Sequence, residues 1–167
     1  MIILGIDPGT LITGYGIIDH QSSCCIAIDY GCIRPPASMM LSDRYLIIFN
    51  AIEDLIEQYR PHVLAIETQY VDRKHNNVQS AIKLGMARGI AVIAAKRKGI
   101  PVFEYSPSKA KIAVVGKGSA SKFQVQAMIK LLLNIANDLP EDAADALALA
   151  ICHGHSLQVP ASVNCEL

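Results

Sequence analysis

Ile2–Asp7 opens the chain as a short, almost wholly apolar run closed by Pro8-Gly9, the pattern of a buried strand ending in a turn. Thr13–Asp19 and Cys24–Ile33 read as two further strands, with Gln21-Ser22-Ser23 placed for a hairpin and Pro35-Pro36 as a stop. The period then changes. From Ser42, a candidate N-cap, apolar residues fall at Tyr45, Ile48, Phe49, Ile52, Leu55, Ile56 and Tyr59, which predicts an amphipathic helix ending before Pro61. Val63–Glu67 is a fourth strand, followed by a polar loop to about Asn77 and a long helix over Val78–Lys98. Gly99 stands where a C′ glycine would, after Lys96, Arg97 and Lys98, whose charges suit the negative helix end. Pro101–Tyr105 predicts a fifth strand. Ser106–Val115 and Ser121–Leu133 predict two helices joined by Gly116-Lys117-Gly118, and Glu141–His153 a last one. A meander of three strands followed by alternating helices and strands predicts an α/β protein, a five-stranded mixed sheet flanked by helices. One domain over 1–156 with a flexible tail over 157–167 is the expected organisation of the 167 residues.

Composition adds little until charge is read by position. The chain is 51% apolar, and its 15 basic residues balance 15 acidic ones. The neutral sum hides three blocks. Met1–Asp72 has a net charge of −6, Arg73–Lys130 of +11 with Glu104 as its one acid, and Leu131–Leu167 of −5. So basic a middle can serve as a footprint for phosphate backbone, although pairing with the acidic flanks would equally account for it. Five cysteines without C-x-x-C spacing argue against a zinc or disulfide framework. With no basic leader and no apolar run of about 18 residues, a reduced cytoplasmic setting without a membrane is expected.

Four carboxylates stand out by placement. Asp7 and Glu67 each end a predicted strand, and parallel neighbours would bring them out side by side, where open α/β sheets place their sites. Asp142 and Asp145 share one face of the last helix. Each alone has a plain structural explanation, as turn former, strand end or partner of a helix terminus. Converging carboxylates repel, however, and are tolerated mainly where divalent cations neutralise them; oxygen-only donors suit magnesium or manganese.

Five runs in one order, GIDPGTLITGYGIID, AIE at Glu67, KLGMARG (83–89), VVGKGSASKFQV (114–125) and DAADALALAICH (142–153), resemble the RuvC family of Holliday-junction resolvases, nucleases of the ribonuclease-H-like superfamily. The first run alone is shared with actin-like ATPases, which need a second domain. The GKGS segment lacks P-loop spacing, and KLGMARG and ASKFQV speak against an RNA-processing relative. The resemblance implies a ribonuclease-H-like fold and paired symmetric nicking of four-way junction DNA in recombination and repair. It implies an acidic cluster of Asp7, Glu67, Asp142 and Asp145 holding two Mg²⁺ per subunit, with Mn²⁺ able to substitute. It further implies a base-stacking aromatic at Tyr70, DNA-contacting lysines at Lys111 and Lys122 (the latter at the scissile phosphate), a homodimer, and work alongside a RuvA–RuvB branch-migration complex. Gly85 and Gly89 offer close helix packing at a dimer interface or within the subunit. The segment Val71–Gln79, with Arg73, Lys74 and His75, is a few residues longer than in some relatives, and the neutral total departs from the family's usual basic charge. The histidines show no metal spacing; His153 and His155 read as structural.

Overall fold

The computed structural model describes residues 1–21, 24–68 and 78–157. Five strands, β1 (Ile2–Asp7), β2 (Thr13–Gln21), β3 (Cys24–Ile33), β4 (Val63–Glu67) and β5 (Val102–Tyr105), form one sheet in the order β3-β2-β1-β4-β5. β1, β2 and β3 pair antiparallel, whereas β4 and β5 run parallel to β1. The mixed sheet predicted from the alternation of elements is therefore present.

Helices α1 (Leu41–Tyr59) and α2 (Val78–Arg97) cover one face, and α3 (Pro107–Val115), α4 (Lys122–Leu132) and α5 (Glu141–Ser156) the other. Side-chain alternation along the strands sorts the core into these two layers. Leu4, Ile6, Ile17, Leu64 and Ile66 pack towards α1 and α2 around Ile48, Ile52, Ala91 and Ala94. Ile3, Ile18, Val63 and Ala65 pack towards Val125, Ile129, Leu147 and Ile151.

Local chemistry sets the helix ends. Ser106 caps α3 by accepting from Lys109 N, with Pro107 in the first turn, and Gly116 ends it at φ +79°. Ser121 and Gln124 form a reciprocal capping box at α4. At α1 the helix begins one residue before the expected Ser42 cap: Met40 is the N-cap and makes no side-chain bond. Helix α5 is buried along Ala146–Gly154, and glycines in the sheet make room for it. A Cβ at Gly5 would lie 2.0 Å from the Ala146 carbonyl oxygen, and one at Gly14 2.0 Å from that of Asp142. This close approach carries the start of α5 up to the ends of β1 and β2.

One expectation is corrected at α2. By length and composition alone it is apolar enough to cross a membrane. Its sequence is apolar around most of its circumference, interrupted by Lys83 and Arg88, so counting uninterrupted apolar residues missed it. In the fold α2 packs on α1 and β5.

Candidate active site

Asp7 and Glu67 follow Ile6 and Ile66, which are register partners in the parallel β1–β4 pair. Since Ile6 and Ile66 face α1 and α2, the next residues turn to the opposite face, towards α5. The chain leaves Asp7 through a tight turn in which Thr13, fully buried, donates from Oγ1 to the Gly9 carbonyl oxygen (2.7 Å) and accepts from Gly9 N (3.3 Å). Asp7, Glu67 and Asp145 line one cavity of about 280 Å³ together with Lys111 from α3 and Lys122 from α4. Asp142, a turn earlier on α5, lies behind Gly14 and bears on Asp7 through its charge rather than by lining that cavity. Tyr70 and the segment carrying Arg73, Lys74 and His75 lie outside the described residues.

Electrostatics follow from this crowding. Asp7 is pushed up to about 7, first by burial and then by the charges of Glu67, Asp145 and Asp142, with Lys122 opposing. Glu67 is raised by burial and by Asp145, against Lys122 and Lys111. Burial also raises Asp145, opposed by the same two lysines. Lys122 pairs with Glu141 and lies 3.8 Å from Asp145, contacts that hold its ammonium above the ordinary lysine range. Glu141, an acidic residue in the first turn of α5, is thus the partner of Lys122.

Among the described residues, no three His, Cys, Asp or Glu side chains stand close enough to grip an ion as they are. The donor set nonetheless fits a hard divalent cation: all oxygen, mutually repelling, with the Asp7 carboxyl pushed well above the usual carboxylate range by burial and by its neighbours. His153 and His155 are occupied elsewhere. His153 is buried, its Nδ1 2.7 Å from the Tyr105 hydroxyl, and His155 Nδ1 meets the Ala113 carbonyl oxygen at 3.2 Å. A concavity of about 540 Å³ between Ile56, Glu57, Arg60, Pro61, Lys98 and Ile100 lies at the amino ends of β4 and β5, away from the acidic cluster.

Sequence reasoning passed over Arg88. It sits inside the KLGMARG run and lines a second, 30 Å³ cavity with Asp7, Pro8, Glu67, Thr68 and Leu84. No spacing rule could link a residue in the middle of α2 to the end of β4.

The model of crossover junction endodeoxyribonuclease RuvC matches residues 3–153. A curated protein of that name from Protochlamydia amoebophila is 60% identical over 154 residues, covering 92% of this chain and 90% of the relative. Another, from Ruminiclostridium cellulolyticum, is 47% identical over 93% of each chain. Among solved structures, Thermus thermophilus RuvC in complex with a Holliday junction substrate superposes with a TM-score of 0.87 at 28% identity, over 95% of each chain. The chain belongs to the RuvC family of crossover junction endodeoxyribonucleases.

Proposed function

We propose that the chain resolves four-way DNA junctions by paired, symmetric phosphodiester hydrolysis in recombination and repair. The observation that carries this reading is the convergence of Asp7, Glu67 and Asp145 with Lys111 and Lys122 around one cavity at the carboxyl ends of β1 and β4. Water oxygen bonds to phosphorus as the bond from phosphorus to the 3′ oxygen breaks, leaving a 5′-phosphate and a 3′-hydroxyl. Asp7, Glu67, Asp142 and Asp145 hold two Mg²⁺ per subunit in this proposal, with Mn²⁺ able to replace them. When bound, the cations supply the positive charge that lets the carboxylates ionise together and that offsets charge on the phosphate under attack. Lys122 exchanges its bond to Glu141 for a phosphate oxygen and stabilises the developing charge, an exchange made easy by its 63% exposure. Lys111 extends the basic surface to the flanking backbone, and Tyr70 offers a ring to an unstacked base, a contact worth about 1–3 kcal/mol.

The same reading takes the enzyme as a homodimer with one nuclease domain over 1–156 and a tail over 157–167, working in the cytoplasm with a RuvA–RuvB branch-migration complex. Support for the dimer comes from α2. Val78, Ile82, Met86 and Ile93 lie along its solvent side, each at least half exposed, and nothing lies within 4 Å of a Cβ built at Gly89. An apolar stripe of this kind is normally covered.

The test compares a labelled four-way junction with a linear duplex of the same sequence, with and without Mg²⁺. Junction-selective, metal-dependent cutting is expected. Equal cleavage of both substrates, or cutting in chelator, refutes the proposal.

A further inference from the structure

The end of β4 has an unusual brace. Arg88 reaches from the middle of α2 and donates from Nε to the backbone carbonyl oxygen of Glu67 at 3.2 Å. Its Nη2 is paired with Glu104 of β5. The guanidinium therefore spans two parallel strands, with one arm on a main-chain oxygen and the other on a carboxylate. It is only 21% exposed, packed into the small cavity that also touches Asp7, Pro8 and Thr68. On the next residue, Thr68 N donates to the Tyr105 carbonyl oxygen at 2.8 Å, so the peptide between Glu67 and Thr68 is held from both sides.

That peptide sets the direction in which the Glu67 side chain leaves the sheet. Its carboxylate points to the α5 face, whereas Arg88 comes from the α2 face, so the two groups meet through the backbone. The charges that bear most on the Glu67 carboxylate are those of Asp145, Lys122 and Lys111, not that of Arg88. Whatever Arg88 does for Glu67 is done through position. A planar fork holds both acceptors at fixed angles; a lysine ammonium has donors enough, but as a point charge on a flexible stem it does not fix their geometry.

We propose that Arg88 is a positioning residue for the hydrolysis, fixing the peptide plane at Glu67 so that its carboxylate stays aimed at the acidic cluster. The proposal rests on the nuclease reading above. It also gives α2 a second role, since the helix that carries the exposed apolar stripe then holds a member of the acidic cluster in place. Partners outside the first ring of ligands commonly change metal affinity or rate by about tenfold to a hundredfold when removed.

The experiment uses the full chain with Arg88→Lys and Glu104→Gln, each checked for folding by circular dichroism and melting. Junction affinity and kcat are measured with a labelled four-way junction. Mn²⁺ binding without DNA is read separately by electron paramagnetic resonance. Arg88→Lys is expected to leave junction affinity within about twofold, lower kcat about tenfold or more, and weaken Mn²⁺ binding by a similar factor. Glu104→Gln, which frees the far arm of the fork, should shift both readouts the same way by less. A lowered melting temperature with wild-type kcat and wild-type Mn²⁺ affinity in both variants would make Arg88 a simple brace and overturn the proposal. If the wild-type chain itself fails to cut junctions, the nuclease reading falls instead, and the Mn²⁺ measurement still decides the role of Arg88.

Discussion

Replacing Asp7 by asparagine should make the metal-free protein more stable, by an amount that grows with pH. The Asp7 carboxyl is raised from 3.8 to about 7, chiefly by burial and then by Glu67, Asp145 and Asp142. A carboxyl raised on folding binds its proton more tightly in the folded chain. Its contribution to stability is thus fully present below pH 3.8 and is lost as pH rises through 7. At pH 8 the ionised group costs the fold on the order of 4 kcal/mol as a ceiling, and at pH 5 on the order of 2. Asparagine is nearly the same size and carries no charge, so it removes this cost while adding an amide that must find partners. A net gain of about 1–3 kcal/mol at pH 8 is expected, equivalent to several degrees in Tm for a domain of this size. Urea denaturation at pH 5, 6, 7 and 8 in chelator reads it directly. Saturating Mg²⁺ should erase the difference, because cations stabilise only the chain that binds them. A variant less stable than wild type at pH 8, or a gain that does not shrink towards pH 5, would refute the placement of Asp7 among ionised neighbours.

Other substitutions probe the remaining parts of the site. Lys122→Ala should lower junction cleavage about a hundredfold while changing stability by less than about 1 kcal/mol, since its ion pair with Glu141 is largely exposed; single-turnover cleavage and urea denaturation check the two halves. Gly14→Ala drives a Cβ to within 2.0 Å of the Asp142 carbonyl oxygen and should cost about 3 kcal/mol or more, seen as a fall in Tm of roughly 10 °C. If the proposed dimer forms through α2, Ile82→Glu in its exposed stripe should leave the fold intact but lower the sedimentation coefficient relative to wild type at equal concentration, towards that of a monomer.

Strand ends and short periods made much of this molecule legible. The apolar runs before Asp7 and Glu67 placed each carboxylate at the end of a strand; that the two ends are neighbours follows from the parallel pairing of β1 and β4, which the sequence left as a condition. The helices expected from Ser106 and from Ser121 are present as α3 and α4, and in the structure both serines cap them, because side-chain bonding to free N–H groups is a local matter. At α1 the expected cap failed: Ser42 is the second residue of the helix, which begins at Leu41 and whose N-cap, Met40, makes no side-chain bond. Long-range pairings stayed hidden. Arg88 and Glu67 are 21 residues apart, Lys122 and Glu141 19, and neither pairing is implied by any repeat in the chain. Gly5 and Gly14 stand in the strand sequences themselves, but that they admit α5 depends on the packing of the whole sheet.

Cleavage and binding measured together on one four-way junction, for wild type and Asp7→Asn, test most directly that the acidic cluster cuts the DNA. Wild type should bind the junction and, with Mg²⁺, nick two strands of like polarity at symmetric positions. Asp7→Asn should bind with at least equal affinity and produce no nicks. Undiminished cleavage by Asp7→Asn would remove Asp7 from the chemistry and contradict the account.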